Sequence, residues 1–242
     1  MTQTVLITGA NRGIGFALTK GYLEKGCAVI ATCRDCERAA SLHKLAQTHK
    51  TLSILPLDVS DDESIEELVI ALQGRPIDVL INNAGILSGT DPNASSLDAG
   101  IDQTFGHIDV NGWLRVLHIN AIAPIMVTQE LMPNLLETQT RKVAMISSKW
   151  GSITHMNNEI PFAYGTSKAA LNAATKILSS TLQKDGFVVV SLNPGSVRTD
   201  MGSQEANLEP EESAARLIRI IDALEPKQTG QFIRHTGEIV EW

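Results

Sequence analysis

Short runs of β-branched and aliphatic residues alternate along this chain with longer stretches whose apolar positions return every three to four residues. The runs predict strands at Thr4–Ile7, Ala28–Thr32, Ser53–Leu57, Val79–Asn82, Lys142–Ser147, Val188–Leu192 and Gln231–Ile233. The stretches between them predict helices at Gly15–Lys25, Glu37–Gln47, Asp62–Leu72, Trp113–Leu136, Phe162–Lys184 and Glu211–Ala223. Asp61, and Glu209 followed by Pro210, have the chemistry of helix starts, and Gly26 and Gly186 that of helix stops. Strand–helix alternation through the whole chain implies an α/β fold, a doubly wound parallel sheet of about seven strands with helices on both faces. No repeat, low-complexity tract or linker interrupts it, so residues 1–242 are expected to form a single domain.

Two segments escape the alternation. Gly85 to Gly112 is rich in Gly, Asp, Asn and Ser and too long for an ordinary strand–helix loop, which marks a functional insertion or a partly mobile segment. Val197 to Leu208 follows the sixth predicted strand, at the sheet edge where ligands bind in such folds.

Composition narrows the picture. With 43% hydrophobic but only 4% aromatic residues, the core is expected to be aliphatic and alanine-rich. A net charge of −7 with no basic block argues against nucleic acid or an anionic membrane as a partner, so an anionic ligand needs local positive features. The apolar stretch Val116 to Val127 is broken by His118, Asn120 and Pro124, which argues against a membrane span, and no basic region precedes the apolar run at Val5. Three cysteines do not make a disulfide framework. Cys33-x-x-Cys36 has redox or half-zinc spacing, but no second pair exists and no histidine stands at ligand spacing to it. The expectation is a cytoplasmic protein without a metal.

Candidate chemistry begins at Thr8-Gly9-Ala10-Asn11-Arg12-Gly13-Ile14-Gly15, directly after the first predicted strand and opening the first helix. Glycine serves where φ is positive or where backbone must approach a phosphate closely. A helix N-terminus offers free N–H groups and partial positive charge to a pyrophosphate. A tight turn with packing glycines would use the same residues, but the position at the first strand–helix junction favours a dinucleotide site. The end of the second strand selects the nucleotide. An acid just past that strand would accept from a ribose 2′-hydroxyl and favour NAD. Cys33 falls there, with Arg34 beside it and Arg12 in the glycine turn, and two guanidiniums suit a 2′-phosphate. NADP(H) is therefore expected over NAD(H), unless the strand ends later and Asp35 takes the acid's place.

A catalytic group is spread over several predicted elements. Tyr164 and Lys168 lie four apart at the start of a long helix, on one face, where an ammonium would stabilise phenolate and lower the tyrosine pKa. Ser147 and Ser148 end an apolar strand at the substrate edge, and either hydroxyl could donate to a carbonyl. Asn120 sits within an apolar helix, where an amide needs partners.

In these motifs the chain resembles the short-chain dehydrogenase/reductase family along essentially its whole length. The matching residues are Thr8 to Gly15, Asp58-Val59, Asn82-Asn83-Ala84-Gly85, Asn120, Ser148, Tyr164-x-x-x-Lys168 and Pro194-Gly195. The resemblance implies a Rossmann-like domain that moves a hydride between nicotinamide and a carbonyl or alcohol carbon. It makes Tyr164 the general acid/base and Ser148, favoured over Ser147, the carbonyl-orienting hydroxyl. Lys168 would hold the nicotinamide ribose, and Asn120 would anchor a proton-relay water. Gly9, Asn11, Arg12, Gly13, Ile14 and Gly15 would cradle the cofactor, with Arg34 at the 2′-phosphate and Asp58 and Val59 about the adenine. Asn82, Ala84 and Gly85 would meet the ribose side, and Pro194, Gly195, Val197 and Thr199 the nicotinamide end.

The separation of Ser148 from Tyr164 exceeds the family's usual spacing. With Ser148-Lys149-Trp150-Gly151 and a terminal Trp242, it resembles the C-factor-like carbonyl reductase subgroup. Trp150, His155 and Met156 are expected to border the substrate cleft. Ala163, Ser167, Ala170 and Ala174 form a small-residue stripe that packs within the subunit or, as the resemblance implies, in a homo-oligomer, a dimer or tetramer. The expected activity is carbonyl reduction of a small molecule. The alternative is a nucleotide-binding signalling protein with incidental turnover.

Overall fold

A computed structural model describes residues 2–89, 104–202 and 205–242. Seven strands, β1 (Thr4–Ile7), β2 (Ala28–Cys33), β3 (Leu52–Pro56), β4 (Val79–Asn82), β5 (Lys142–Ile146), β6 (Val188–Asn193) and β7 (Phe232–Arg234), form one sheet in the order β3-β2-β1-β4-β5-β6-β7. Every neighbouring pair is parallel. The helices are α1 (Gly13–Glu24), α2 (Ala40–Thr48), α3 (Asp62–Leu72), α4 (Val110–Leu117), α5 (Ala123–Glu130), α6 (Met132–Leu136), α7 (Phe162–Leu182) and α8 (Pro210–Ala223). The fold is Rossmann-like and doubly wound.

Successive strand residues point to opposite faces, and both faces are covered. Val5 and Ile7 join Leu18 and Tyr22 of α1, Leu42 of α2 and Leu217 and Ile221 of α8 in one core. Leu6 between them joins Leu68 of α3, Val127 of α5 and Leu171 of α7 in the other. β4, β5 and β6 repeat the division: Ile81, Ala144 and Val190 face one core, Leu80, Val143 and Val189 the other. Two-sided burial explains strands that read as unbroken apolar runs.

The largest departure from the predicted elements lies at Trp113–Leu136. In place of one helix, the chain forms α4, a π turn at His118–Ile122, α5 and α6. Proline is the physical reason. Pro124 has no N–H for the carbonyl of Asn120, four residues back, and the helix widens just before it. Pro133 then sits at the start of the short α6.

By length and composition, the 21-residue run Val110–Glu130 could cross a membrane. It exceeds the interrupted stretch expected from sequence. Here Val116, Ile119, Ala121, Ala123 and Val127 are buried in the protein, and Trp113 Nε1 donates to Thr166 Oγ1 on α7 at 2.8 Å.

Helix α3 starts as its sequence dictates. Asp61 is the N-cap and accepts from the Glu63 N–H at 3.2 Å, with Asp62 and Glu63 in the first turn favoured by the helix dipole. Asp61→Ala should therefore cost about 1 kcal/mol of stability. Urea unfolding would show this as a lower midpoint with an unchanged slope; an unchanged midpoint would mean that water replaces the cap without cost.

Candidate functional site

Strand order reverses between β1 and β4, and the crevice outside their C-terminal ends is where doubly wound sheets bind ligands. A cleft of about 300 Å³ occupies this place and runs from Arg34 at one end to Tyr164 and Lys168 at the other.

The glycine turn builds its middle. Gly9 has φ +64°, and a Cβ there would stand 2.9 Å from Ala84 Cα. A Cβ on Gly15 would meet the Gly9 carbonyl oxygen at 2.3 Å and Asn83 Nδ2 at 2.5 Å, so only glycine lets α1 approach the turn. Arg12 occupies the N-cap of α1 without a side-chain cap bond, and Gly13, Ile14 and Gly15 of the first turn line the cleft. The turn is tied to the end of β4. Thr8 Oγ1 accepts from the N–H groups of Asn83 and Ala84, both at 3.0 Å. Asn83 Nδ2 donates back to the Thr8 and Gly9 carbonyls at 2.9 and 3.0 Å. Asn82, the residue expected beside the ribose, instead turns into the core, where Nδ2 donates to Thr128 Oγ1 at 3.0 Å. Asn83, Ala84, Gly85 and Ile86 carry the cleft wall.

At the adenosine end β2 extends one residue past its predicted limit, so Cys33 is its last residue and Arg34 the first beyond it. The later end leaves Asp35 two residues beyond the strand. Asp35 lines the cleft, but its carboxylate is engaged by its own turn, accepting from the Arg38 N–H at 3.1 Å and pairing with Arg38 Nε at 3.2 Å. Asp58 and Val59 stand opposite. Burial pushes the Asp58 carboxyl up, but hydrogen bonds from Ser60 and the charges of Arg34 and Arg115 outweigh it and hold the group below its ordinary value. Arg12 Nη1 pairs with Asp200 Oδ2 at 2.9 Å across the mouth, an exposed pair worth little by itself.

The other end holds the catalytic candidates. Ser147 is buried and its Oγ donates to Asn172 Oδ1 at 2.7 Å, which commits it to packing β5 against α7. Ser148 caps the short turn Lys149–Gly151 and is hydrogen-bonded to the Tyr164 hydroxyl, whereas it is Ser147 that stands on the cleft lining. Trp150 meets the Tyr164 ring edge-on, centroids 5.8 Å apart. Lys168 Nζ lies 5.7 Å from the centroid of the same ring and donates to the Ile146 carbonyl at 2.9 Å.

Burial pushes the Tyr164 phenol up to about 12, against the opposing hydrogen bond with Ser148, and burial alone brings Lys168 down to about 8. The lowering expected from sequence included the charge of a bound nicotinamide; in the chain alone burial is the larger cause and Lys168 is not among the causes. The ammonium sits over the ring face and is turned to a carbonyl.

Asn120, in the π turn, is fully engaged. Its Oδ1 accepts from Ile86 N at 2.8 Å, and its Nδ2 donates to Ile86 O at 2.8 Å and Ser167 Oγ at 3.0 Å. Ser167 in turn donates to the Tyr164 carbonyl at 2.7 Å. Ala163 and Ser167 of the small-residue stripe are thus spent inside the chain.

Pro194 and Thr199, expected about the nicotinamide, line the cleft together with Asp200 and Met201, which carry no signal in the sequence. Gly195 instead packs against His235, and Val197 is buried and bridged to Leu208. His155 and Met156 lie on an exposed turn away from the cleft lining, with His155 Nδ1 bonded to Ser152 Oγ at 2.8 Å.

Residues 3–209 match the family model described as short chain dehydrogenase. The chain is 38% identical to C-signal of Myxococcus xanthus across 69% of its own length and 93% of that protein's. It is 32% identical to an uncharacterised oxidoreductase of Schizosaccharomyces pombe, across 97% and 96%. Among solved structures it is similar to the carbonyl reductase Sniffer of D. melanogaster, with a TM-score of 0.89, 32% identity and 100% of both chains covered. It is similar also to an NADPH-bound carbonyl reductase from chicken fatty liver, with a TM-score of 0.88, 32% identity and coverage of 100% and 99%.

Gly151 is the close contact that sets the distance between the serine turn and α7. A Cβ there would stand 2.7 Å from the carbonyl carbon of Lys168 and 2.8 Å from its oxygen, both backbone atoms. Gly151→Ala should cost about 1–3 kcal/mol through this overpacking. Thermal unfolding would record it as a melting point several degrees lower; an unchanged value would show that the turn yields freely.

Proposed function

This chain belongs to the short-chain dehydrogenase family and is an oxidoreductase, and from that premise we propose that it is an NADP(H)-dependent carbonyl reductase acting on a small molecule. One observation carries the reading: a single cleft joins Arg34 at one end to Tyr164 and Lys168 at the other, and the Tyr164 hydroxyl is hydrogen-bonded to Ser148.

The cradle fits a dinucleotide. The glycine turn lets backbone approach a pyrophosphate, the uncapped start of α1 supplies N–H groups, and Arg34 with Arg12 supplies charge for a 2′-phosphate. When bound, the nicotinamide supplies the hydride. Tyr164 supplies the proton: a phenol near 12 is protonated at neutral pH and is set to act as an acid towards a carbonyl oxygen. The Ser148 hydroxyl donates to the same oxygen as it gains negative charge. Lys168, mostly protonated at neutral pH with its pKa near 8, holds the nicotinamide ribose and favours the phenolate left after proton transfer. Asn120 acts as a positioning residue, joining the Ile86 backbone to α7, and the family resemblance makes it the anchor of a relay water. Trp150, outside the cleft lining, packs edge-on against the Tyr164 ring and helps fix its position. One nucleotide-binding domain carries both ends of this site.

The C-signal relative favours a second reading, a nucleotide-binding signalling protein with incidental turnover. NADPH oxidation against a panel of aldehydes, ketones and quinones separates the two. Steady turnover on any class supports the reductase, and none on all of them supports the second reading.

Tyr164→Phe should retain cofactor binding and lose about 10²–10⁴-fold in turnover. Ordinary turnover in that variant would sink the acid/base assignment. Arg34→Ala should weaken NADPH binding roughly ten- to a hundredfold and leave NADH nearly unchanged, since a hydrogen bond to a charged group contributes about 1.5–3 kcal/mol. Equal weakening of both cofactors in a fluorescence titration would show that Arg34 supports the turn and does not read the phosphate.

A further inference from the structure

We propose that Cys33 and Cys36 form a reversible disulfide when a hydroperoxide reaches Cys36, and that closure of this bond displaces Arg34 and weakens NADPH binding. The two sulfurs already touch at 3.8 Å. The turn between them is curled so that Cys36 Sγ also lies 3.7 Å from the Cys33 carbonyl oxygen. A disulfide needs about 2.05 Å, so the sulfurs have a short distance to close. Cys27, the remaining cysteine, is buried at the opposite end of β2, with its sulfur 3.7 Å from Gln3 Oε1. Among the described residues no His, Cys, Asp or Glu set that could hold a metal includes the pair.

The two thiols differ in the way a two-step oxidation requires. Cys36 is half-buried and open to solvent, whereas Cys33 is buried, and burial, with Cys36 and Asp35 beside it, pushes its thiol up to about 12. Cys36 is therefore the group that attacks the peroxide oxygen. Its sulfur forms an S–O bond, the O–O bond breaks, and water (or an alcohol, from an organic hydroperoxide) leaves, giving a sulfenic acid. Cys33 sulfur then attacks Cys36 sulfur, the S–O bond breaks, and the departing hydroxide takes the Cys33 proton as a second water. Two thiols lose two electrons and two protons in total, and the hydroperoxide is reduced. An external thiol such as glutathione restores both groups by exchange.

The consequence for the cofactor follows from which side can move. Cys33 is held in the sheet: β2 is paired with β3 along Val29 to Cys33, and the Leu57 N–H donates to the Cys33 carbonyl at 3.0 Å. Cys36 is held outside the sheet, its carbonyl bonded to the Ala39 N–H at 3.1 Å and to the exposed His43 ring at 2.8 Å. The Cys36 side is therefore the one to come in, and Arg34 and Asp35, which line the cleft, lie in the segment that is drawn with it. This part of the inference rests on Arg34 reading the 2′-phosphate, as proposed above.

The test uses the full chain. After hydrogen peroxide and desalting, the three free thiols should fall to one, with an intact mass about 2 Da lower and reversal by dithiothreitol. NADPH affinity should drop roughly tenfold or more and recover on reduction. Cys36→Ser should bind NADPH as the untreated protein does and show no response to peroxide. Three thiols persisting, or a mass gain from oxygen in place of the loss, overturns the disulfide. A disulfide that leaves NADPH affinity unmoved overturns the switch. The NADPH-to-NADH ratio of the reduced protein is measured first: a preference for NADH overturns the Arg34 reading alone, while thiol count and mass still decide the disulfide.

Discussion

Four hydrogen bonds, three to Thr8 and one to the Gly9 carbonyl, join the glycine turn to Asn83 and Ala84 on the other side of the sheet's reversal point. The β1–β4 ladder ends with the Thr8 N–H on the Ile81 carbonyl at 3.0 Å, and these bonds carry the tie on past the strands into the glycine turn. The tie also settles the buried carbonyls of Thr8 and Gly9, which a dinucleotide could not satisfy. Its effect extends further along the chain, because Asn83 leads directly to Gly85. A Cβ at Gly85 would stand 3.0 Å from Asn120 Oδ1 and 3.7 Å from Lys168 Nζ. The phosphate cradle and the proton-handling end of the cleft are thus spaced by one short run of backbone.

How far the sequence alone could reach depended on whether the deciding physics was local. Strands buried on both faces announce themselves as apolar runs, and β4 and α3 fall on their predicted limits. Asp61 declares a helix start through its own side chain. The choice between Asn82 and Asn83 was different in kind: the two are adjacent, and only the direction of the pleat decides which enters the core. Ser147 and Ser148 pose the same problem, since the partner Ser147 takes, Asn172, lies far along the chain. The pairing of Asp35 with Arg38 is likewise set by how the turn after β2 folds. His155 and Met156 have suitable chemistry, but the turn that carries them leads away from the cleft.

Burial drives Tyr164 and Lys168 in opposite directions, and both towards the uncharged form. A tyrosine and lysine one helical turn apart suggest an ion pair, but the lysine spends its ammonium on the Ile146 carbonyl and faces the aromatic ring. What the protein itself provides is therefore a proton held in reserve and a softened cation near it. Charge brought in by a bound ligand would act on both groups in a region with little water to dilute its field.

The π turn at His118–Ile122 has a consequence for chain length. An α-helix advances about 100° per residue, so one residue too many would re-aim everything beyond it by that angle unless a wider turn took it up. Here the Ala123 N–H reaches back five residues to the His118 carbonyl, and the extra residue is absorbed within the turn. Val127 then enters the core and Thr128 receives the Asn82 amide. The same residues wound as a plain α-helix would rotate the downstream half until those side chains left the sheet, so the wide turn is a fixed angular setting.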